Sequence, residues 1–268
     1  MEIFGYLGAL LIGVSLGLIG GGGSILTVPV LVYLFHIEPV LATAYSLFIV
    51  GTTSLIGAIP RFSQGLINVR TAIIFGIPSI IAVFITRKYI VPLIPETIFT
   101  WNDFHFTRGL MLMLLFALLM VAAAVSMIKS KTVHPHDESQ QPQKFNYPLI
   151  LVEGLLVGVL TGLVGAGGGF LIIPALVLLS KLPMKQAVGT SLLIIAAKSL
   201  IGFLGDITTY TMDWRFLAIV TALAIAGIFT GNRFSMKLPA SKLKKGFGWF
   251  VLVMGVYIII KEIFMTGA

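Results

Sequence analysis

Residues 109–128, GLMLMLLFALLMVAAAVSMI, run for twenty positions without a charged side chain. A run of that length matches the roughly 20 apolar residues a helix needs to cross a bilayer. Residues 148–164, 184–204 and 247–264 are the next plainest windows. Across the 268 residues, 57% are hydrophobic and 10% charged, and mean hydropathy is +1.04. Soluble domains carry about a quarter charged residues. The chain therefore reads as an all-α polytopic membrane protein. The start, MEIFGYLGALLIG, has no basic region and runs straight into the next apolar segment. It reads as a membrane segment, not a cleavable signal.

A shift of 145 residues aligns GLIGGGGSILTVPVLVYL, from Gly17, with GLVGAGGGFLIIPALVLL, from Gly162. Over residues 17–57 the two copies agree at 18 of 41 positions. Glycines, one proline and a serine pair fall in a single register, which shared apolar composition would not arrange. Two membrane repeats follow, residues 1–129 and 148–268, joined by a polar linker at 130–147. Each repeat contains five helical pieces. In the first they are about 4–19, 25–35, 39–58, 69–91 and 107–129, and in the second about 148–164, 170–180, 184–204, 213–233 and 243–265. Residues 89–106, with two prolines and an aromatic cluster, read as an external loop or a short interfacial helix.

The first two pieces of each repeat flank a glycine cluster and allow two topologies. They form one broken span, giving parallel halves, or a hairpin that dips in and returns, giving inverted halves. Lysine and arginine favour cytoplasmic loops. The hairpin reading puts twelve basic residues on one face (Arg61, Arg70, Lys129, Lys131, Lys144, Lys181, Lys185, Arg233, Lys237, Lys242, Lys244 and Lys245). It leaves five, Arg87, Lys88, Arg108, Arg215 and Lys261, on the other. The parallel reading splits them ten to seven. The charge bias favours inverted repeats in the inner cell membrane, both termini outside and the linker cytoplasmic. The formal charge of +8 then belongs to loops facing anionic lipid, not to nucleic acid.

The candidate binding residues are the clusters Gly20, Gly21, Gly22, Gly23, Ser24 and Gly165, Ala166, Gly167, Gly168, Gly169. Consecutive small residues break a helix and free backbone N–H groups. In a membrane that requires a protein or aqueous lining. The short helices that follow point their positive ends at the breaks, which suits an anion near the midplane. Close helix packing is the competing use of glycine, but it spaces small residues four apart. Pro29 and Pro174 shape the short helices. Among the hydroxyls of the third pieces (Thr43, Ser46, Thr52, Thr53, Ser54; Thr190, Ser191, Ser199), the symmetry-related Ser46 and Ser191 are the better candidates. Lys198 lies within a span, where a charge either serves function or snorkels outward. Arg61 and Asp206, at matching ends, read as loop charges in preference to gate charges.

With no cysteine and no His/Glu cluster, the chain offers no metal site and no cofactor is expected. No Ser-His pairing falls within a span, so an enzyme ranks last, and no nucleotide-binding G-x-x-x-x-G-K motif follows the glycines. The paired segments GLIGGGGSILTVPVL and GLVGAGGGFLIIPAL, each followed by Ala-x-x-x-Ser-Leu (Ala42 to Leu47, Ala187 to Leu192), resemble the TauE/SafE sulfite-exporter family over nearly the whole chain. The resemblance implies a transporter, expected to export a small sulfur oxyanion such as sulfite, thiosulfate or an organosulfonate. An ion gradient, of protons or of another ion, would drive it. A passive anion channel is the alternative. Ala166 opposite Gly21, and Ser24 opposite Gly169, make the site asymmetric.

Overall fold

The structure is a computed structural model that describes residues 2–101, 104–129, 147–178, 182–235 and 240–264. Most of the linker, with Lys131, Lys144, Asp137 and Glu138, lies outside the described residues, as do Lys181 and Lys237. The first repeat contains α1 (Glu2–Ile19), a 3-10 segment (Gly20–Leu26), α2 (Thr27–Tyr33), α3 (Pro39–Ser63) and α4 (Val69–Ile85). A π-helical turn (Thr86–Ile90) and the short α5 (Val91–Leu93) continue α4. Strands β1 (Thr97–Trp101) and β2 (Phe104–Thr107) precede α6 (Arg108–Lys129). The second repeat contains α7 (Tyr147–Val164), α8 (Gly169–Leu178), α9 (Met184–Asp206), α10 (Trp214–Ser235) and α11 (Ala240–Phe264).

Among the described residues, five helices are long and apolar enough to cross a membrane: Pro39–Ser63, Val69–Leu93, Arg108–Lys129, Met184–Asp206 and Trp214–Phe234. In α3 and α9, 72% of the apolar window is buried, against 39–44% in the other three, so these two form the centre. The outer helices leave apolar stripes uncovered. Ile73, Ile77, Ile81 and Ile85 repeat every fourth residue along α4 and all are exposed. Such a stripe faces lipid, where it needs no protein partner. Residues 97–107 differ from the expected loop or interfacial helix: they form an antiparallel β-hairpin, with Phe99 stacked on Phe106 at 4.9 Å. Cross-strand aromatic pairs of this kind favour strands over helix.

Glycines fix how the helices cross. A methyl group on Gly13 would overlap the carbonyl oxygen of Ala224, and one on Gly231 that of Val14. Gly17 and Gly227 make equally close approaches, so α1 lies against α10 backbone to backbone, running parallel to it. Gly154, Gly158 and Gly162 of α7 approach Phe75, Ser79 and Thr86 in the same way. Each repeat thus lays its first helix on the fourth piece of the other. Along α3 and α9, Gly51 meets Leu200, Gly57 meets Leu192 and Gly202 meets Leu47. As one number rises the other falls, so these counterpart helices pack antiparallel. Gly248 and Gly255 of α11 meet Met127 and Met120 of α6 in the same sense.

The chain doubles back after α1. Gly8 packs on Val30 and Leu34, Gly5 on the Phe35 ring, and Tyr6 meets Phe35 edge-on at 5.4 Å. The first two pieces therefore form a hairpin and not a single broken span. Replacing Gly231 with Leu should lower the thermal unfolding temperature in detergent by several degrees, because the opposing atoms are backbone and cannot yield. Gly246→Leu, where a Cβ meets nothing within 4 Å, should leave the melt unchanged.

Candidate functional site

The two glycine segments touch. A Cβ on Gly21 would lie 2.5 Å from the Cα of Gly169, and one on Gly167 would lie 3.4 Å from the Cβ of Ser24. Val50 of α3 and Ile195 of α9 close the same space around Gly167. The breaks meet where α3 and α9 cross, so the structure brings together Gly21, Ser24, Gly167, Gly168, Gly169 and Lys198. Gly20 and Gly165 lie further out, against Val188 and Thr43 respectively. Ala166 is fully buried in the apolar core beside Phe170 and Val164.

The breaks are built differently. Gly20 and Gly165 occupy matching positions at φ +73° and +71°, the left-handed conformation that ends α1 and α7. After Gly165 the chain also takes φ +63° at Gly167 and +69° at Gly168. Glycine adopts these angles at no steric cost. After Gly20 it tightens instead into the 3-10 segment, whose internal bonds use N–H groups expected to be free. The unwound break, with a ten-residue helix starting at Gly169, belongs to the second repeat alone.

Lys198 supplies the charge at that break. It is 1% exposed, and its Nζ donates to Thr161 Oγ1 at 2.9 Å. A Cβ on Gly168 would lie 2.7 Å from that Nζ. The ammonium points into the break, does not snorkel outward, and faces no carboxylate among the described residues. Its repeat counterpart is Thr53, whose buried hydroxyl has no hydrogen-bond partner among the described residues. Ser46, Ser54 and Ser199 share that condition. Ser24 and Ser191 are engaged locally: Ser24 Oγ donates to Gly21 O at 2.8 Å, and Ser191 Oγ to Val188 O at 2.9 Å. Ser46 and Ser191, which stand at matching repeat positions, thus differ in their bonding. A separate cavity of about 380 Å³, lined by Tyr6, Phe35, His36, Tyr45, Asp213 and Phe216, is lined by no residue of either break.

Asp206 overturns its reading as a loop charge, because it is paired with Arg87 inside the fold. Both are fully buried, with Arg87 Nε and Nη2 each 2.7 Å from Asp206 Oδ2. Arg87 Nη1 also donates to Thr43 Oγ1 at 2.9 Å and to Gly162 O at 3.2 Å. The Gly162 carbonyl belongs to the last turn of α7, where orphan acceptors and the negative helix end favour a cation. One guanidinium thus ties together α3, α7 and α9. The π-helical turn at Thr86–Ile90 carries it, an insertion common at functional positions. In the sequence Arg87 looked like one basic residue among five on its face. The signal was its partner's place in the repeat, since Asp206 stands opposite Arg61.

The family model for sulfite exporter TauE/SafE matches residues 6–258. A probable membrane transporter protein of Xylella fastidiosa (strain 9a5c) is 31% identical over 252 residues, covering 93% of this chain and 91% of the relative. A probable membrane transporter protein of Bacillus subtilis (strain 168) is 28% identical over 234 residues, covering 87% and 90%. One of Methanocaldococcus jannaschii is 27% identical over 264 residues, covering 93% and 92%. No solved structure matches the chain.

Asp206→Asn or Arg87→Gln alone should destabilise the protein by about 3–5 kcal/mol, since each strands a buried charge. The double change Arg87→Met with Asp206→Leu should cost much less. Unfolding titrations in mixed micelles would measure all three.

Proposed function

The chain belongs to the sulfite exporter TauE/SafE family of membrane transporters, and on that premise we propose that it is a secondary transporter of a small sulfur oxyanion. Sulfite, thiosulfate and organosulfonates are the substrate class, and export from the cytoplasm is the direction. The observation that carries this reading is the Lys198 ammonium, buried against the unwound Gly168 break with a single hydroxyl for company. An ammonium held out of water without a counter-charge is costly. An anion alongside would offset that cost, and the hydroxyls of Thr53, Ser54, Ser46 and Ser199 would receive its remaining oxygens.

Transport proceeds by alternating access, with α3 and α9 as the shared axis. Their antiparallel crossing, and that of α6 and α11, supports an inverted arrangement of the repeats, a plan in which one midplane site is exposed to each side in turn. The hairpin of α1 and α2 supports the same arithmetic: three crossings per half, both termini outside and the linker in the cytoplasm. A proton gradient supplies the energy. The protein acts in the cell membrane as a multi-pass carrier and performs no covalent step on its substrate.

Flux into proteoliposomes, measured across sulfite, thiosulfate, sulfate, sulfonates and chloride, tests the proposal. Saturable uptake of a sulfur oxyanion that responds to a pH gradient is the expected result. Large single-channel currents without saturation would favour a passive channel, and no flux or binding of any of these anions would sink the oxyanion reading. Lys198→Gln should lower the flux at least tenfold while leaving the melting temperature in detergent unchanged or higher.

A further inference from the structure

The offset of 145 residues maps Arg61 onto Asp206 and Arg87 onto Asn232. These four residues make two contacts, and the contacts map onto each other. Arg87 of the π-helical turn meets Asp206 at the end of α9 at 2.7 Å. Arg61, near the end of α3, meets Asn232 of α10, with Nη2 3.4 Å from Oδ1. Because α3 and α9 pack antiparallel, the two contacts sit at opposite ends of the bundle. The Arg61 end also carries the start of α7, since α7 runs parallel to α4, and hence the linker.

The same position is therefore built twice with different chemistry. At one end an arginine is matched by a carboxylate: Nε donates to Oδ2, Nη2 lies 2.7 Å from the same oxygen as an ion pair, and Nη2 and Oδ1 make no hydrogen bond among the described residues. At the other end an arginine meets a neutral amide at the outer limit of hydrogen bonding, and Arg61 Nε is buried with no hydrogen-bond partner among the described residues. A guanidinium presents a planar fork of donors that suits an oxyanion, and a neutral amide beside it carries no charge to repel one.

We propose that Arg61 and Asn232 form a second oxyanion site, at the linker end of the bundle and separate from Lys198. A small oxyanion there takes the role that the Asp206 carboxylate plays at the opposite end. The site stands on its own geometry and does not require the central site to transport.

The protein contains no cysteine, so a single one can carry a reporter. Gln64, the exposed residue after α3, lies three positions from Arg61. Gln64→Cys labelled with an environment-sensitive fluorophore would be titrated in detergent with thiosulfate and with sulfate. A saturable response is expected in the labelled parent and equally in Lys198→Gln. Arg61→Gln should weaken the apparent affinity at least tenfold, and Arg61→Lys less. Asn232→Asp should weaken it to a similar degree by installing the missing carboxylate, and its melting temperature should rise or hold. A structural role for Asn232 would not predict that combination.

No response in the parent, or an unchanged response in Arg61→Gln, overturns the site. A response lost in Lys198→Gln but kept in Arg61→Gln also overturns it, and leaves the central site standing. Conversely, a response that depends on Arg61 in a protein that moves none of the tested anions supports this site while the transport reading falls.

Discussion

Inside a bilayer a backbone N–H or C=O without a partner has no water to turn to. That constraint governs every other feature of this molecule. The chain is interrupted twice, at the two glycine breaks, and each interruption has to be walled in by protein. The wall is the other interruption, with Gly21 against Gly169, flanked by α3 and α9. A side chain larger than hydrogen at the contact would push the segments apart and admit lipid. The central crossing is thus the most buried part of the chain because the breaks demand it.

The same constraint explains how unequal the two halves have become. The first break closes its polar groups internally by tightening into a 3-10 segment, and its counterpart position to Lys198 is a threonine. The second keeps three left-handed glycines open and sets a lysine beside them. At the ends of the bundle the difference recurs, ion pair against arginine–amide contact. A duplicated scaffold supplies pairs of equivalent positions. In this chain the members of several pairs differ in charge and bonding.

Much of this was legible in the sequence. The membrane class and the piece boundaries to within a few residues followed from apolar windows and one alignment. The burial of Lys198 agreed with its place within a span. What stayed hidden were contacts between distant pieces. Arg87 looked like one basic residue among five on its face because nothing local distinguishes a guanidinium bound for a carboxylate 119 residues away. The β-hairpin at residues 97–107 was hidden by the two prolines ahead of it and by aromatic residues that suit an interface as well as a strand. Ser46 and Ser191 looked equivalent because the alignment carries no information about which hydroxyl turns back to its own helix. Gly13, Gly17, Gly227 and Gly231 were passed over as ordinary members of apolar windows, although their four-residue spacing marks the tightest helix contact in the fold.

The interlock of the first helix with the tenth bears on how such a chain is made. A ribosome releases α1 about 200 residues before α10, the element on which α1 rests. At elongation rates of roughly 5–20 residues per second, that interval lasts on the order of ten seconds or more. During it the face of α1 that rests on α10 is without that partner. Either the insertion machinery or a chaperone shields that face for that time, or the first half waits folded against itself. Topology thus sets a delay in the biogenesis of this protein, because α1 is complete only once a partner encoded near the far end of the same message has been made.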